Sequence, residues 1–228
     1  MKSLLVTLLA VTLATSALAQ HDRMNPRKPG KFGVSVKAGP AFPTGEFEGL
    51  FKPGFTGFVE VPYNVSRDFQ IYVGLGYSSF NEDDAKLDKI LAEQGKNGTT
   101  NIDAPYQVVP VVLGINYSYR YSGFLAYLTI SVGMFYQTLE PTGSVTIDNV
   151  TTALTPKTEK WSQWGYGIGV GGLIPIGDEG WAVDVNVKFN SVIDYNKEVL
   201  VTTGGGNDIS TRAIRYVSAL VGLSYTFQ

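Results

Sequence analysis

The chain has 228 residues, a formal net charge of −2 at pH 7 and no cysteine. The absence of cysteine excludes a disulfide framework and a thiolate metal site, and the small net charge gives no reason to expect nucleic acid as a partner. Hydrophobic residues make up 44% of the chain and charged residues 17%, with 26 glycines, 13 tyrosines and 12 phenylalanines. This composition excludes a disordered chain and favours a β protein rich in turns and aromatic residues.

The N-terminus has the pattern of a cleaved secretory signal. A lysine follows the initiator methionine, residues 4–13 are apolar, and Ala17 and Ala19 form an A-x-A site before Gln20. The alternative is an N-terminal membrane anchor, but the stretch is short for a bilayer span and ends in small residues. We therefore predict a signal peptide at residues 1–19, cleaved between Ala19 and Gln20, and a flexible periplasmic lead-in at 20–31.

From residue 32 to the end, apolar and polar residues alternate in eight runs. Alternation with a period of two predicts β-strands. The weakest run contains Pro110, where we predict a local bulge because proline interrupts a ladder. The predicted strands, in chain order, are residues 32–38, 55–63, 69–79, 106–119, 124–137, 161–174, 181–195 and 214–227.

The connections between these runs alternate between short and long. The short ones are rich in Asn, Asp, Ser and Gly and cover residues 64–68, 120–123 and 177–180. The long ones cover residues 39–54, 80–105, 138–160 and 196–212. This rhythm predicts an all-β fold, an eight-stranded antiparallel up-and-down barrel at residues 32–228 with turns at one rim and loops at the other. Within the second loop, residues 84–95 predict a short helix with Gly95 as its C-terminal cap.

Alternation alone does not say which face of the barrel is inside, because a soluble lipocalin-like barrel alternates too. Three features favour an apolar exterior in a membrane. The polar faces carry mostly Gly, Ser, Thr and Asn, which suit a narrow lumen, and Tyr and Trp cluster where the apolar faces end. The few charges inside the runs balance in sign, so we predict two buried pairs. These pairs are Lys37 with Glu60 and Asp184 with Lys188, and Asn186 shares their lumen face.

The last residues carry the most specific pattern of the chain, a glycine at Gly222 followed by Tyr225 and Phe227 on one face. With these residues and its eight runs, the mature chain resembles the small eight-stranded outer-membrane β-barrel proteins of the OmpX and OmpA-barrel type. It departs from that pattern in ending with Gln228 and in carrying Leu220 where a polar residue is preferred. The resemblance implies a C-terminal β-signal read by the barrel-insertion machinery and a monomer in the bacterial outer membrane, in contact with its lipids and lipopolysaccharide.

The sequence predicts no catalytic, cofactor or metal site. Barrel enzymes that modify lipid A need a histidine near a serine and a carboxylate, and His21, the one histidine, lies in the lead-in. The glycines at 167, 169 and 171 resemble a dinucleotide loop, but no helix follows them, so we interpret them as small lumen residues. The acidic residues at 82–84 lack the ligand spacing of an EF-hand loop.

Two functions remain open at this point. Eight strands enclose a space that side chains can fill, so we predict no wide water channel. The first function is a structural or surface-interaction protein that displays four extracellular loops to a partner outside the cell. The second is a narrow transport module for small solutes or ions. A lipid-modifying barrel enzyme and a soluble lipocalin-like carrier are weaker alternatives.

Overall fold

The computed structural model of the chain describes residues 27–93, 98–121, 123–140, 142–147, 150–153, 158–177, 180–193 and 214–227. Within these residues the chain forms strands, one α-helix and a short 3-10 helix at Gly45–Gly49. The elements in chain order are β1 (Gly33–Pro43), β2 (Gly54–Asn64), β3 (Phe69–Phe80), α1 (Asp84–Glu93), β4 (Gly98–Asp103), β5 (Tyr106–Tyr121), β6 (Phe124–Leu139), β7 (Thr142–Ile147), β8 (Val150–Ala153), β9 (Glu159–Ile176), β10 (Trp181–Val192) and β11 (Arg215–Thr226).

Eight of these strands close into an antiparallel barrel in the order β1-β11-β10-β9-β6-β5-β3-β2. Each of the eight predicted runs falls on one barrel strand, so the predicted up-and-down barrel is confirmed. The strands that flank the third long loop reach further than the alternation indicated, since β6 extends to Leu139 and β9 begins at Glu159. β10 ends at Val192, before the end predicted for its run at residue 195.

Apolar side chains at paired positions of neighbouring strands form a ring around the outside of the barrel. Followed from strand to strand around the barrel, the ring starts at Phe42 of β1. It returns at Phe32, which lies just before β1 and ten residues earlier in the chain. Such a stagger tilts the strands and fixes the width of the barrel. The directly paired residues between these two ends are Val217, Phe189, Ile168, Ile130, Ile115, Ile71 and Tyr63.

Pro110 does not cause the predicted bulge. It pairs with Phe135 of β6, and that ladder keeps one register along its whole length. On the β3 side, the pairs Leu75–Val111 and Ser78–Val108 share one register although the positions between them are unpaired. Proline lacks an N–H and so removes a ladder hydrogen bond without adding a residue to the strand.

The long-loop rim carries structure that the alternation did not indicate. β4 of the second loop pairs with β7 of the third, and β7 pairs with β8, which makes a three-stranded antiparallel sheet that we call the rim sheet. α1 coincides with the helix predicted at residues 84–95, and the predicted cap at Gly95 lies outside the described residues. No helix among the described residues is long and apolar enough to cross a membrane.

Inside the barrel, large side chains lie over glycines of neighbouring strands. A Cβ added to Gly114 would stand 2.3 Å from the ring of Tyr72, and one added to Gly76 would stand 2.7 Å from the ring of Phe58. The glycines of β9 therefore leave space for side chains from β6 and β10, as the sequence analysis interpreted them. On β9 the pairs are Phe135 over Gly165, Lys188 over Gly167 and Tyr127 over Gly171.

We predict that Gly114→Ala lowers the free energy of unfolding by about 1–3 kcal/mol, because the new methyl group displaces the buried ring of Tyr72. Gly57→Ala is the matched control, since the nearest atom to its added Cβ lies 3.7 Å away. Urea unfolding in phospholipid vesicles, followed by tryptophan fluorescence, measures both. Equal stability of the two variants would contradict the close packing of the lumen.

Candidate functional site in the barrel lumen

The part of the lumen toward the short turns holds a buried group of charges that we call the ion cluster: Lys37 of β1, Glu60 of β2 and Asp184 of β10. The Lys37 Nζ lies 2.7 Å from Glu60 Oε2 and 3.3 Å from Asp184 Oδ2. The hydroxyl of Tyr127 donates a hydrogen bond to Asp184 Oδ1 at 2.6 Å. One lysine thus contacts two carboxylates, whose remaining lone pairs are partly satisfied by hydroxyl groups.

The structure places Lys37 beside Glu60, but it does not pair Asp184 with Lys188. These two residues are four positions apart on one strand, a separation of about 13 Å. Asp184 instead reaches Lys37, because Gly222 of β11 is paired with both residues and lies between them. The predicted Asp184–Lys188 pair is therefore wrong.

Gly222 thus has a structural reason to be glycine. A Cβ at this position would stand 1.9 Å from the carbonyl oxygen of Val36 and 2.6 Å from the Cα of Lys37. The absence of a side chain lets β11 approach β1 closely where the barrel closes. The other two residues of the C-terminal pattern lie at the short-turn rim, where the Tyr225 ring stands 4.7 Å from Trp181 and 5.3 Å from Phe227.

The remaining predicted site residues have separate positions. Asn186 is buried in the lumen, and its Nδ2 donates to the carbonyl oxygen of Val170 at 3.3 Å. The predicted cleavage site, at Ala17, Ala19 and Gln20, lies outside the described residues. Among the described residues, no group of histidine, cysteine, aspartate or glutamate side chains is arranged to hold a metal ion.

Arg27 is a lumen residue that the sequence analysis missed, because it lies in the predicted flexible lead-in. Its side chain is only 2% exposed, donates to the hydroxyl of Ser118 and stands 5.5 Å from the ring centroid of Tyr127. Burial lowers the pKa of Arg27 to about 10, although nearby Tyr127 and acidic groups raise it, so the guanidinium stays protonated at neutral pH. The lead-in therefore inserts a cation into the short-turn end of the barrel, and no local pattern marks it.

The opposite end of the lumen is closed by aromatic residues that we call the aromatic cap: Phe47, Phe51, Phe80 and Tyr106. Phe47 belongs to the 3-10 helix and is 1% exposed. Its ring centroid lies 4.6 Å from that of Phe51, 5.1 Å from Phe80 and 5.4 Å from Tyr106. The first long loop therefore folds back and fills the mouth of the barrel.

Hydrogen bonds tie this first loop to the second. Lys86 Nζ of α1 donates to the carbonyl oxygen of Glu48 at 2.6 Å, and the Asp83 amide donates to the carbonyl oxygen of Leu50 at 2.9 Å. A third bond joins the Lys52 amide to the carbonyl oxygen of Asn81 at 2.8 Å. The aromatic cap is thus held from above by the second loop, which also contributes β4 to the rim sheet.

An exterior of exposed Val, Leu, Ile and aromatic side chains around a lumen of buried polar and aromatic ones defines a membrane-spanning β-barrel. The family profile described as outer membrane protein beta-barrel domain matches residues 5–227. The chain belongs to this family, and it is a protein of the bacterial outer membrane.

One solved structure supports this fold. The chain is similar to neisserial surface protein A, with a TM-score of 0.53, 12% identity and coverage of 86% of this chain and 97% of that one. It also matches OprG from Pseudomonas aeruginosa, with a TM-score of 0.49, 11% identity and coverage of 89% and 98%. Ail, the attachment invasion locus protein of Yersinia pestis, matches with a TM-score of 0.43, 10% identity and coverage of 88% and 100%. No curated protein sequence matches the chain.

We predict that Lys37→Met lowers the free energy of unfolding by about 3–5 kcal/mol, because it leaves two buried carboxylates without their shared cation. Glu60→Gln is the comparison and costs less, since Asp184 still pairs with Lys37. Urea unfolding midpoints in vesicles measure both changes. A Lys37→Met variant as stable as the parent would show that the ion cluster does not stabilise the barrel.

A lysine on the outer face of the barrel tests which face meets lipid. Leu113 is 59% exposed and lies near the middle of β5. We expect Leu113→Lys to destabilise the folded barrel in vesicles by about 2–4 kcal/mol, because its charge lies near the bilayer midplane. Ala85→Lys adds the same charge at an exposed site on α1 and serves as the control. Equal effects of the two variants would contradict a lipid-facing exterior.

Proposed function

We propose that this protein is a structural or surface-interaction barrel that displays its long loops outside the cell to an extracellular partner. The observation that carries the proposal is the rim sheet. Its strands come from two loops that are separated in sequence by the barrel strands β5 and β6. Outer-membrane barrels place their long loops on the extracellular side, so this sheet faces the environment of the cell.

The chemistry of the rim sheet suits contact with another molecule. Each of its three strands contains two threonines, and Asp103 is its only charged residue. The hydroxyls of Thr146 and Thr151 face each other across β7 and β8 at 3.0 Å, and Thr142 Oγ1 donates to the carbonyl oxygen of Asp103. A sheet rich in hydroxyl groups, with one charged residue at the end of β4, can bind a glycan or a polypeptide edge mainly through hydrogen bonds between uncharged groups.

The filled lumen supports the same function over transport. The aromatic cap blocks one end of the barrel, and the ion cluster with Arg27 occupies the other. An ion that crosses the barrel has to break buried contacts at both ends of the lumen. We propose that the barrel is a rigid anchor for its loops and that it carries no catalytic activity.

The remaining partners follow from the position of the barrel in its membrane. We propose that the protein is a monomer in contact with outer-membrane lipids and lipopolysaccharide through its apolar exterior. Gly222, Tyr225 and Phe227 lie on the strand that closes the barrel, where we propose that the insertion machinery binds during assembly.

A second candidate function is a narrow transport module for small solutes or ions. The observation that favours it is the construction of the aromatic cap. A single short 3-10 helix carries Phe47 and Phe51 flanks it, so a rotation of one loop would uncover the mouth of the barrel. Below this cap the lumen has polar residues that can line a path.

Two variants separate these functions. The first replaces residues 142–153 by a short glycine–serine turn and removes β7 and β8 without changing a barrel strand. The second, Phe47→Ala, removes the centre of the aromatic cap and keeps the rim sheet. We expect the first variant to lose attachment of expressing cells to immobilised glycans and serum proteins, with unchanged conductance in planar bilayers. Phe47→Ala should keep attachment.

The heat-modifiable gel shift of each variant confirms that its barrel is folded. If the turn replacement leaves attachment unchanged while Phe47→Ala admits small solutes into cells, the surface-interaction proposal is wrong and the transport function replaces it. Stable openings of nanosiemens size in the parent protein would contradict a filled lumen.

A further inference from the structure

The buried charges of the lumen do not cancel. Among the described residues, the buried cations are Arg27, Lys37 and Lys188, and the buried anions are Glu60 and Asp184. Both carboxylates contact Lys37, and Arg27 lies near them at the short-turn end. The excess positive charge is therefore at Lys188. A buried ion without a counter-charge costs several kcal/mol unless something else neutralises it.

Lys188 has few partners of its own. Its side chain is 3% exposed, and in the part of the chain that the structure describes no carboxylate lies within 4 Å of its Nζ. The ammonium donates to the hydroxyl of Tyr72 at 3.4 Å and stands 5.1 Å from the ring centroid of Phe58. An ammonium group has three N–H donors, so these contacts leave donors to be satisfied.

A second buried polar group next to Lys188 also lacks a partner. The hydroxyl of Ser131 is buried and makes no hydrogen bond with any residue that the structure describes. It stands 2.8 Å from the point where a Cβ of Gly167 would lie, the Lys188 Cε stands 2.4 Å from the same point, and the Asn190 Oδ1 stands 3.0 Å from it. The free hydroxyl and the lysine side chain therefore approach each other over one glycine, in the middle of the barrel.

We propose that Lys188 and Ser131 hold a small inorganic anion of halide size inside the barrel. The ammonium supplies the charge, and the hydroxyl of Ser131 donates to the same ion. The rings of Phe58 and Tyr72 keep other solvent away from it. A water molecule accepts hydrogen bonds from the ammonium but does not neutralise it. Because side chains occupy most of an eight-stranded lumen, only a small ion is accommodated.

The test compares the stability of the barrel in two salts that differ only in their anion. The full-length mature protein is refolded in phospholipid vesicles in sodium chloride or in sodium gluconate of equal ionic strength, because gluconate is too large for the lumen. The temperature at which half of the heat-modifiable gel shift is lost is then measured. An anion that binds only the folded barrel raises this temperature, and we expect chloride to raise it by about 2–4 °C over gluconate.

Three variants assign the effect to this site. Lys188→Met removes the charge and keeps an unbranched side chain, so the difference between the two salts should vanish. Ser131→Ala should reduce the difference. Lys89→Gln removes a lysine on exposed α1 and should leave it unchanged. No difference in the parent protein, or an equal difference in Lys188→Met, overturns the proposal.

If Lys188→Met fails to fold, a measurement on the parent protein tests the proposed anion site. Crystals grown in sodium bromide should show an anomalous scattering peak beside the Lys188 Nζ, within hydrogen-bond distance of Ser131 Oγ. A map with bromide only at the protein surface, or with none, overturns the proposal.

Discussion

The narrow lumen of an eight-stranded barrel is the constraint on which the rest of the molecule depends. Side chains from all strands point into the same small space, so a large one on one strand requires a small one beside it. Tyr72 lies over Gly114, Tyr127 over Gly171 and Lys188 over Gly167. These combinations explain why the glycines of β9 recur at every second residue. They also hold each lumen side chain in one position, which a buried network of charges requires.

The ion cluster lies where β11 pairs with β1 and closes the barrel, and its contacts depend on these fixed side-chain positions. Lys37 and Asp184 lie on strands that are separated by β11, and they meet because Gly222 between them has no side chain. The glycine of the C-terminal pattern therefore serves the folded barrel as well as its proposed recognition during insertion. Tyr127 links Arg27 to the ion cluster, since its hydroxyl donates to Asp184 and its ring faces Arg27.

The two ends of the barrel are closed by different physical means. At the short-turn end the ion cluster and Arg27 of the lead-in lie together with a small apolar cluster of Leu125, Tyr127, Leu173 and Ala182. At the long-loop end the filling is apolar, and the 3-10 helix of the first loop contributes Phe47. The second loop holds this helix through Lys86 and joins the third loop in the rim sheet. The first three long loops thus contribute to one structure over the mouth of the barrel.

The number of barrel strands, their faces and the C-terminal pattern can be read from the amino-acid sequence. These properties repeat every second residue within a single strand, so local order is enough to reveal them. Tertiary packing sets which charges meet, brings Arg27 into the lumen and Phe47 to the mouth, and pairs β4 with β7. Each of these contacts joins segments far apart in the chain. They follow from the stagger of the strands and from the packing of loops, which no local period encodes. Lys188 belongs to both groups, since alternation placed it in the lumen, whereas the register of the strands brought Asp184 to Lys37 instead.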